Sequence, residues 1–139
     1  MKYTLSARNQ FEGKVSSVNE GAVNGIVTLD VNGTPVSATI SMAAIKELGL
    51  AEGVGAVAVI KATEVMIGKG ELQISARNKF PGKVVSVEAG AVNGIVKLEA
   101  LGGNIISATI SMAAIEELGL KEGVDAIAVV KATSVMVGR

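Results

Sequence analysis

The sequence contains the nonapeptide SATISMAAI twice, at residues 37–45 and, without a change, at residues 107–115. The similarity extends outward from it. Residues 5–33 match residues 74–102 at 19 of 29 positions, and residues 37–68 match residues 107–138 at 25 of 32. The second copy gains one residue between these two stretches, close to Gly102 and Gly103. The chain is therefore a tandem repeat of one unit, and we predict domains at residues 1–68 and 69–139.

Each repeat has the pattern of a small β-barrel, with short strands, Gly-rich turns and one short helix. In the first repeat, strands are predicted at residues 11–18, 26–31, 36–40, 56–60 and 65–67. Asn32 and Gly33 form the strongest hairpin signal. Ser41 is predicted to cap a helix over residues 42–48 that ends at Gly49. The predicted fold class is all-β, mainly β with one short helix per repeat.

The glycines predict where the strands are interrupted. Gly13 is expected to form a bulge in the first strand, and residues 20–22 and 24–25 are expected to form turns. In the second repeat the extra residue is expected at a hairpin tip made by residues 102–104. Residues 68–71 join the repeats and are too few for a flexible linker, so the repeats are expected to pack side by side.

Composition excludes several classes of function. The 139 residues include no His, no Cys and no Trp, so zinc fingers, a Ser-His-Asp triad and disulfides cannot be built. Thirteen basic and thirteen acidic residues give zero net charge, which argues against nucleic-acid or membrane partners. There is no apolar run long enough for a transmembrane helix. We expect a soluble cytoplasmic protein that is not an enzyme.

The size of the repeat favours assembly. A unit of about 65 residues buries only about 60% of the surface that its unfolded chain exposes, and is marginally stable alone. Disulfides are impossible here, so burial against another copy is the expected source of stability.

Cations that recur in both repeats are candidates for a binding site. Three pairs recur: Arg8 with Arg77, Lys14 with Lys83, and Lys61 with Lys131. Arg8 follows a serine, and a hydroxyl, backbone N–H groups and a guanidinium make a donor-only cluster suited to an anion. The alternative is a strand start with a surface arginine and a turn-forming asparagine. Lys61 is either a fixed charge at the edge of an apolar wall or a lysine whose stem lies along it.

Ser41 also has two interpretations. It is most simply a helix N-cap, but the free N–H groups that follow it could hold an anion at the positive end of the helix dipole. The glutamates of the helix and its following turn are interpreted as solvated: Glu47, Glu52, Glu117 and Glu122. The methionines at matching positions are interpreted as core residues: Met42, Met66, Met112 and Met136.

The motifs in chain order are Ser-Ala-Arg-Asn, Phe-x-Gly-Lys-Val, Gly-Ala-Val-Asn-Gly, Ala-Thr-Ile-Ser, Leu-Gly-Leu and Lys-Ala-Thr; all six occur in both repeats. In this order they resemble the molbindin (Mop) family in its tandem form. The resemblance implies two tandem OB-like five-stranded Greek-key barrels. It also implies a homotrimer of tandem-domain chains that binds molybdate or tungstate at interfaces between barrels, with no catalysis and no cofactor.

The resemblance further implies which residues bind the oxyanion. One side of an interface site is assigned to Ser6, Ala7, Arg8 and Lys61, and in the second repeat to Ser75, Ala76, Arg77 and Lys131. The helix N-terminus of a neighbouring domain supplies the other side, through Ser41, Ala43 and Ala44, and through Ser111, Ala113 and Ala114. Some relatives carry a hydroxyl where this chain has Ala44 and Ala114, so only the backbone can serve there. A second class of site, near a three-fold axis, is assigned to Val23, Asn24, Val92 and Asn93.

The chemistry of molybdate agrees with these residues. It is a tetrahedral dianion that is fully deprotonated at neutral pH, so it needs donors and is repelled by carboxylates. Cytoplasmic storage of the oxyanion is the expected function. The alternative is a molybdate-sensing regulatory module that acts through a protein partner. An OB-type nucleic-acid binder is disfavoured because it needs aromatic stacking, and the chain has two Phe and one Tyr.

Overall fold

The computed structural model describes residues 4–139, and both repeats contain the same succession of elements. The first contains β1 (Asn9–Asn19), β2 (Asn24–Val31), β3 (Thr34–Ser41), α1 (Met42–Leu48), β4 (Gly55–Ile60), a 3-10 turn (Ala62–Glu64) and β5 (Met66–Gly68). The second contains β6 (Asn78–Glu88), β7 (Asn93–Ala100), β8 (Asn104–Ser111), α2 (Met112–Leu118), β9 (Asp125–Val130), a 3-10 turn (Ala132–Ser134) and β10 (Met136–Gly138). The predicted strands and helices are confirmed, while the sequence pattern did not predict the 3-10 turns. Residues 1–3 of the first predicted domain lie outside the described range.

Alternation of side chains decides which face of each strand is buried. Val27, Leu29 and Val31 of β2 are at most 1% exposed, whereas Asp30 between them faces solvent. In β4 every residue from Ala56 to Ile60 is buried, as its unbroken apolar sequence predicts. These strands form the core of the first sheet, and their equivalents in the second repeat do the same.

The helices begin and end as predicted. Ser41 has an extended backbone, and its Oγ accepts a hydrogen bond of 3.0 Å from the N–H of Ala44. Gly49 has the left-handed φ of 62° and donates its N–H to carbonyls of the last turn. One side chain of α1, Ile45, is buried in the core. Within residues 4–139, no helix is long and apolar enough to cross a membrane.

Each repeat contributes four strands to its own sheet and its last strand to the other sheet. The strand orders are β10-β4-β1-β2-β3 and β5-β9-β6-β7-β8, with antiparallel pairing throughout. Met66 of β5 pairs with Val129, and Met136 of β10 pairs with Val59. The predicted five-stranded sheets are confirmed as two curled antiparallel sheets that form partial barrels. The exchange of the fifth strand could not be predicted, because β5 and β10 have nearly the same sequence.

Two buried asparagines join the repeats. The amide of Asn9, 1% exposed, donates to the carbonyl of Ser107 at 2.9 Å and accepts from its N–H at 2.8 Å. Asn78, 2% exposed, makes the same pair of bonds with the backbone of Ser37, at 2.9 and 2.8 Å. Each side-chain amide therefore makes the two hydrogen bonds that a backbone residue of a neighbouring strand would make with the other repeat. The interpretation of Asn9 as a turn-forming residue was wrong, because it lies within β1 and its amide is used across the repeat interface.

The exchanged strands end on cations that contact the opposite helix. Lys69 follows β5, and its ammonium donates to the carbonyl of Leu118 at 3.0 Å. Arg139 follows β10 and donates to the carbonyls of Leu48 and Gly49 at 2.9 and 3.3 Å. Both cations lie at a helix C-terminus, where free carbonyls and the helix dipole favour positive charge.

Two predictions about interruptions in the first repeat were wrong. The bulge in β1 lies between Val15 and Ser17, and not at Gly13. Gly13 is instead a point of close approach, because a Cβ there would lie 2.4 Å from the carbonyl oxygen of Asp30. Asn24 and Gly25 open β2 and pair with β3, so the turn is confined to the residues before them.

The hairpin tips differ between the repeats. Asn32 and Gly33 have φ of 49° and 87°, as in the predicted two-residue turn. In the second repeat the tip is Leu101-Gly102-Gly103, all with positive φ, and Asn104 already belongs to β8. The inserted residue therefore brings a buried side chain, Leu101 at 4% exposure, into a left-handed conformation. The tip predicted at residues 102–104 therefore lies one residue earlier, at residues 101–103.

Candidate functional site

The Ser-Ala-Arg motif and Lys61 come together in an open cleft, which we call the Arg8 cleft. It is lined by Leu5, Ser6, Ala7, Arg8, Lys61, Ala62, Thr63, Thr109 and Met136. The Arg77 cleft is its counterpart, lined by Ile74, Ser75, Ala76, Arg77, Lys131, Ala132, Thr133, Thr39 and Met66. Their volumes are about 360 and 460 Å³, enough for a small ion together with several waters of about 30 Å³ each.

Strand pairing places the two cations of each cleft side by side. Asn9 of β1 lies opposite Ile60 of β4 in the antiparallel pair. Arg8 and Lys61, which lie one residue beyond that pair, therefore leave the sheet at the same end. Asn78 and Val130 pair in the same way and place Arg77 beside Lys131.

Residues of the opposite repeat complete each cleft. Thr109 follows Ser107 in β8 by two residues, and Ser107 is the residue to which Asn9 is hydrogen-bonded. The asparagine therefore brings the threonine to the cleft, since residues two apart in a strand lie on one face. Met136 comes from the exchanged strand β10, which pairs with β4. A single repeat folded alone would lack both side chains.

The lining of both clefts suits an anion. Each contains one arginine, one lysine, one serine and two threonines, and neither contains a carboxylate. Arg8, Lys61, Arg77 and Lys131 are all exposed, and within residues 4–139 none of them pairs with a carboxylate. Hydroxyls, guanidinium and ammonium groups together form a cluster of donors with two uncompensated positive charges.

The remaining predicted residues lie elsewhere on the chain. Ser41, Ala43 and Ala44 at the start of α1, and Ser111, Ala113 and Ala114 at the start of α2, line neither cleft. They lie beside the residues predicted for the second class of site. Asn24 pairs with Ser41 across the sheet, and the carbonyl of Val23 accepts a hydrogen bond of 2.8 Å from the N–H of Met42. Val92 and Asn93 have the same relation to α2.

Sequence reasoning missed several residues that line the clefts. Thr63 and Thr133 belong to the repeated Lys-Ala-Thr motif, and Thr39 and Thr109 to the repeated nonapeptide, so their recurrence was an available signal. Met66 and Met136 were interpreted as core, which was wrong. They are 42% and 47% exposed because they lie at the cleft on strands of only three residues.

A larger cleft in the second repeat has the opposite electrostatic character. Its volume is about 670 Å³, and Lys83, Glu99 and Asp125 contribute its charges. The ammonium of Lys83 donates a 2.8 Å hydrogen bond to Asp125 and holds the pKa of that carboxyl below its ordinary value. Two carboxylates beside one engaged lysine do not suit a dianion. No group of three metal-ligating His, Cys, Asp or Glu side chains occurs among the described residues.

The molecule is thus a β-protein whose pair of curled five-stranded sheets carries two matched, donor-lined clefts suited to an anion. Comparison with known proteins gives its family. The TOBE domain family matches residues 5–67 and again residues 74–137, and the chain belongs to that family.

The chain is similar over its whole length to a solved structure, a crystal form of the cytoplasmic molybdate-binding protein ModG with molybdate bound. The two are 40% identical, with a TM-score of 0.95, and the match covers 98% of this chain and 99% of ModG. This similarity confirms the expected relation to tandem molybdate-binding proteins.

Two further relatives differ in length. The "Probable molybdenum-pterin-binding protein" of Haemophilus influenzae is 57% identical over 67 residues, which are 48% of this chain and 97% of that protein. The molybdenum transport protein ModE of Herbaspirillum seropedicae is 39% identical over 140 residues. That match covers 99% of this chain and 52% of ModE, so the chain spans about half the length of that relative.

Proposed function

We propose that this protein binds molybdate in the Arg8 cleft and the Arg77 cleft and stores it, without catalysis. The observation that carries the proposal is the duplicated lining, in which two cations and three hydroxyls face a space with no carboxylate. The names of the relatives support the identity of the anion, since they are described as molybdate-binding or molybdenum-pterin-binding proteins.

The lining also supports discrimination among oxyanions. Phosphate carries a proton at neutral pH, and a site without a carboxylate offers that proton only weak acceptors. Sulfate and tungstate are unprotonated dianions like molybdate, so charge does not separate them. We propose that tungstate, which is close to molybdate in size, also binds, and that the smaller sulfate binds less tightly because it cannot contact all donors of a rigid site at once.

We propose that the protein assembles as a homotrimer. Apolar side chains beside the clefts are partly exposed: Leu5 at 56%, Ile74 at 43%, Met66 at 42% and Met136 at 47%. Val23 and Val92, near the helix N-termini, are exposed by 73% and 74%. Neighbouring chains that cover these residues would bring Ser41, Ala43 and Ala44, or Ser111, Ala113 and Ala114, toward the clefts.

Calorimetric titration tests the proposal. We expect molybdate and tungstate to bind tightly, sulfate weakly and phosphate weakest, all measured in one buffer. Native mass spectrometry of the same sample is expected to give three times the chain mass of 14.0 kDa. Failure of molybdate to bind the folded protein would refute the proposed ligand, and a monomer that binds it fully would refute the trimer.

The relatives support a location and a second candidate role. ModG is described as cytoplasmic, and we propose the same compartment for this chain. A molybdate-sensing module that acts through a protein partner stays the second candidate, because in ModE, described as a molybdenum transport protein, the matched region is about half of a longer chain. Crosslinking in cell extract with and without molybdate separates the roles. A protein partner that is crosslinked only in the presence of molybdate supports sensing. The same crosslinked products in both samples support storage.

A further inference from the structure

The 3-10 turns beside the two clefts are built alike but differ in one charge. In the first repeat, Lys61 begins the turn, Thr63 lines the Arg8 cleft, and the N–H of Glu64 donates to the Lys61 carbonyl at 2.9 Å. In the second repeat, Lys131 begins the turn and Thr133 lines the Arg77 cleft. Ser134 stands where the first repeat has Glu64, and its N–H donates to the Lys131 carbonyl at 2.9 Å.

The side chain of Glu64 crosses from one turn to the other. Its carboxylate accepts a hydrogen bond of 3.1 Å from the hydroxyl of Ser134. Glu64 is therefore bonded through its backbone to the turn of the Arg8 cleft and through its carboxylate to the turn of the Arg77 cleft. Among residues 4–139, no cation forms an ion pair with it, so the serine hydroxyl is the bonded partner that the structure gives its carboxylate.

We propose that Glu64 sets the oxyanion affinity of both clefts, as one shared negative charge that weakens binding at each; this rests on the proposed function. The clefts have no carboxylate of their own, so Glu64 is the acidic group that the two cleft-lining turns hold between them. A dianion in either cleft is repelled by it, which keeps the stored anion releasable. Because Glu64 is exposed, the repulsion acts through solvent and is screened by salt.

Glu64→Gln tests this, because glutamine keeps the size and an oxygen acceptor for Ser134 but removes the charge. For a molybdate dianion about 10 Å from the carboxylate in a water-like dielectric, we expect Glu64→Gln to bind molybdate about threefold more tightly than the wild type at 10 mM salt. At 500 mM salt we expect the rise to fall below about 1.5-fold. Calorimetry at both salt concentrations measures it, and both clefts should gain equally.

Two further variants separate the local charge from other effects. Glu52→Gln removes the same charge from the turn before β4, at the far end of that strand from Lys61, and should leave the affinity unchanged. Ser134→Glu adds a second carboxylate and should lower the affinity at low salt by about the same factor. Each protein is first shown to be folded by circular dichroism.

The outcomes distinguish this proposal from the proposed function. If the wild-type protein does not bind molybdate, the proposed function fails. If it binds and Glu64→Gln has the wild-type affinity at 10 mM salt, the role of Glu64 is overturned. A change that persists at 500 mM salt would also overturn it, because a structural effect is not screened.

Discussion

The Arg8 cleft and the Arg77 cleft are built from different parts of the chain and yet have nearly the same lining. Eight of their nine lining residues are identical, and the ninth is Leu5 in one and Ile74 in the other. Each cleft takes its cations from one repeat and a threonine and a methionine from the other. Each cleft is therefore built from both repeats, and the clefts are alike because the repeats have the same residues at nearly all of these positions.

The hairpin tips differ from the clefts in this respect: they contact each other, and their sequences are not alike. A Cβ on Gly102 would lie 2.6 Å from the Cβ of Asn32 and 2.8 Å from its carbonyl oxygen. The short tip of the first repeat thus packs against the longer tip of the second. The tips therefore differ in sequence and in length where they touch, whereas the clefts, which are open to solvent, keep nearly the same lining. The repeats therefore differ in sequence at the contact between their tips, but not at the asparagine contacts or in most of the cleft lining.

Charge reversal of one arginine should produce the largest difference in molybdate affinity between the two clefts. Arg8→Glu places a carboxylate in the Arg8 cleft only, and we expect that cleft to lose about 100-fold in molybdate affinity. Arg77→Glu should do the same to the other cleft. Calorimetric stoichiometry should therefore fall by half in either single variant, and the double variant should not bind. Lys14→Glu, with the same charge change outside the clefts, is the control. A single variant that keeps full stoichiometry would contradict the site assignment.

Removal of each asparagine contact in turn should show how much each one contributes to the stability of the protein. Asn9→Ala leaves the N–H and carbonyl of Ser107 without partners, and we expect the free energy of unfolding to fall by about 2–4 kcal/mol. Asn78→Ala should cost somewhat less, because Ser37 is half-buried whereas Ser107 is 7% exposed. Urea denaturation measures both, and the exposed Asn19→Ala should change stability by less than about 0.5 kcal/mol. Costs near that of the control would show that the contacts do not stabilise the fold.

The same substitution at the two hairpin tips should give unequal results. The new Cβ of Gly33→Ala would meet no atom within 4 Å, and the substitution is unfavourable only because of the φ of 87°. We therefore expect the free energy of unfolding to fall by about 1 kcal/mol. Gly102→Ala adds a collision with the backbone of Asn32 to a φ of 65°, and a cost of about 2–3 kcal/mol is expected. Thermal unfolding of the two variants side by side measures the difference. Equal losses would mean that the tips do not pack tightly in solution.

Features fixed by local sequence could be predicted. The caps Ser41 and Gly49 and the turn Asn32-Gly33 follow from backbone preferences of single residues, and the strands follow from alternation over a few positions. The cations Arg8 and Lys61 were identified because they recur in the second repeat. The structure then brought them together through the pairing of β1 with β4.

Features that depend on contact between the repeats could not be predicted. Met66-Ile67-Gly68 and Met136-Val137-Gly138 are so similar that their sequence cannot say which sheet each joins. Asn9 carries a turn signal locally, and only its position beside β8 makes it a buried contact. Thr109 was missed for the same reason, since it reaches the Arg8 cleft from the other repeat.

A surface ion pair present in only one repeat offers the smallest test. Lys83 lies opposite Asp125, whereas its counterpart Lys14 lies opposite Gly55. A Cβ on Gly55 would meet nothing within 4 Å, so Gly55→Asp should install the same pair in the first repeat. We expect only a slight gain in melting temperature at neutral pH and low salt, because both partners are exposed.

The dependence on pH identifies the source of that gain. Lys83 lowers the pKa of folded Asp125 below the ordinary 3.8, so the pair stabilises the fold above that pH and stops doing so as the pH falls through the lowered value. Gly55→Asp should follow the same course, while Gly55→Asn keeps any benefit of replacing glycine at every pH. The difference between these two variants, followed from pH 7 to about pH 2, measures the transplanted pair alone. A difference that does not change over this range would mean that Lys14 does not pair with the new carboxylate, and that the repeats differ at this position by more than one side chain.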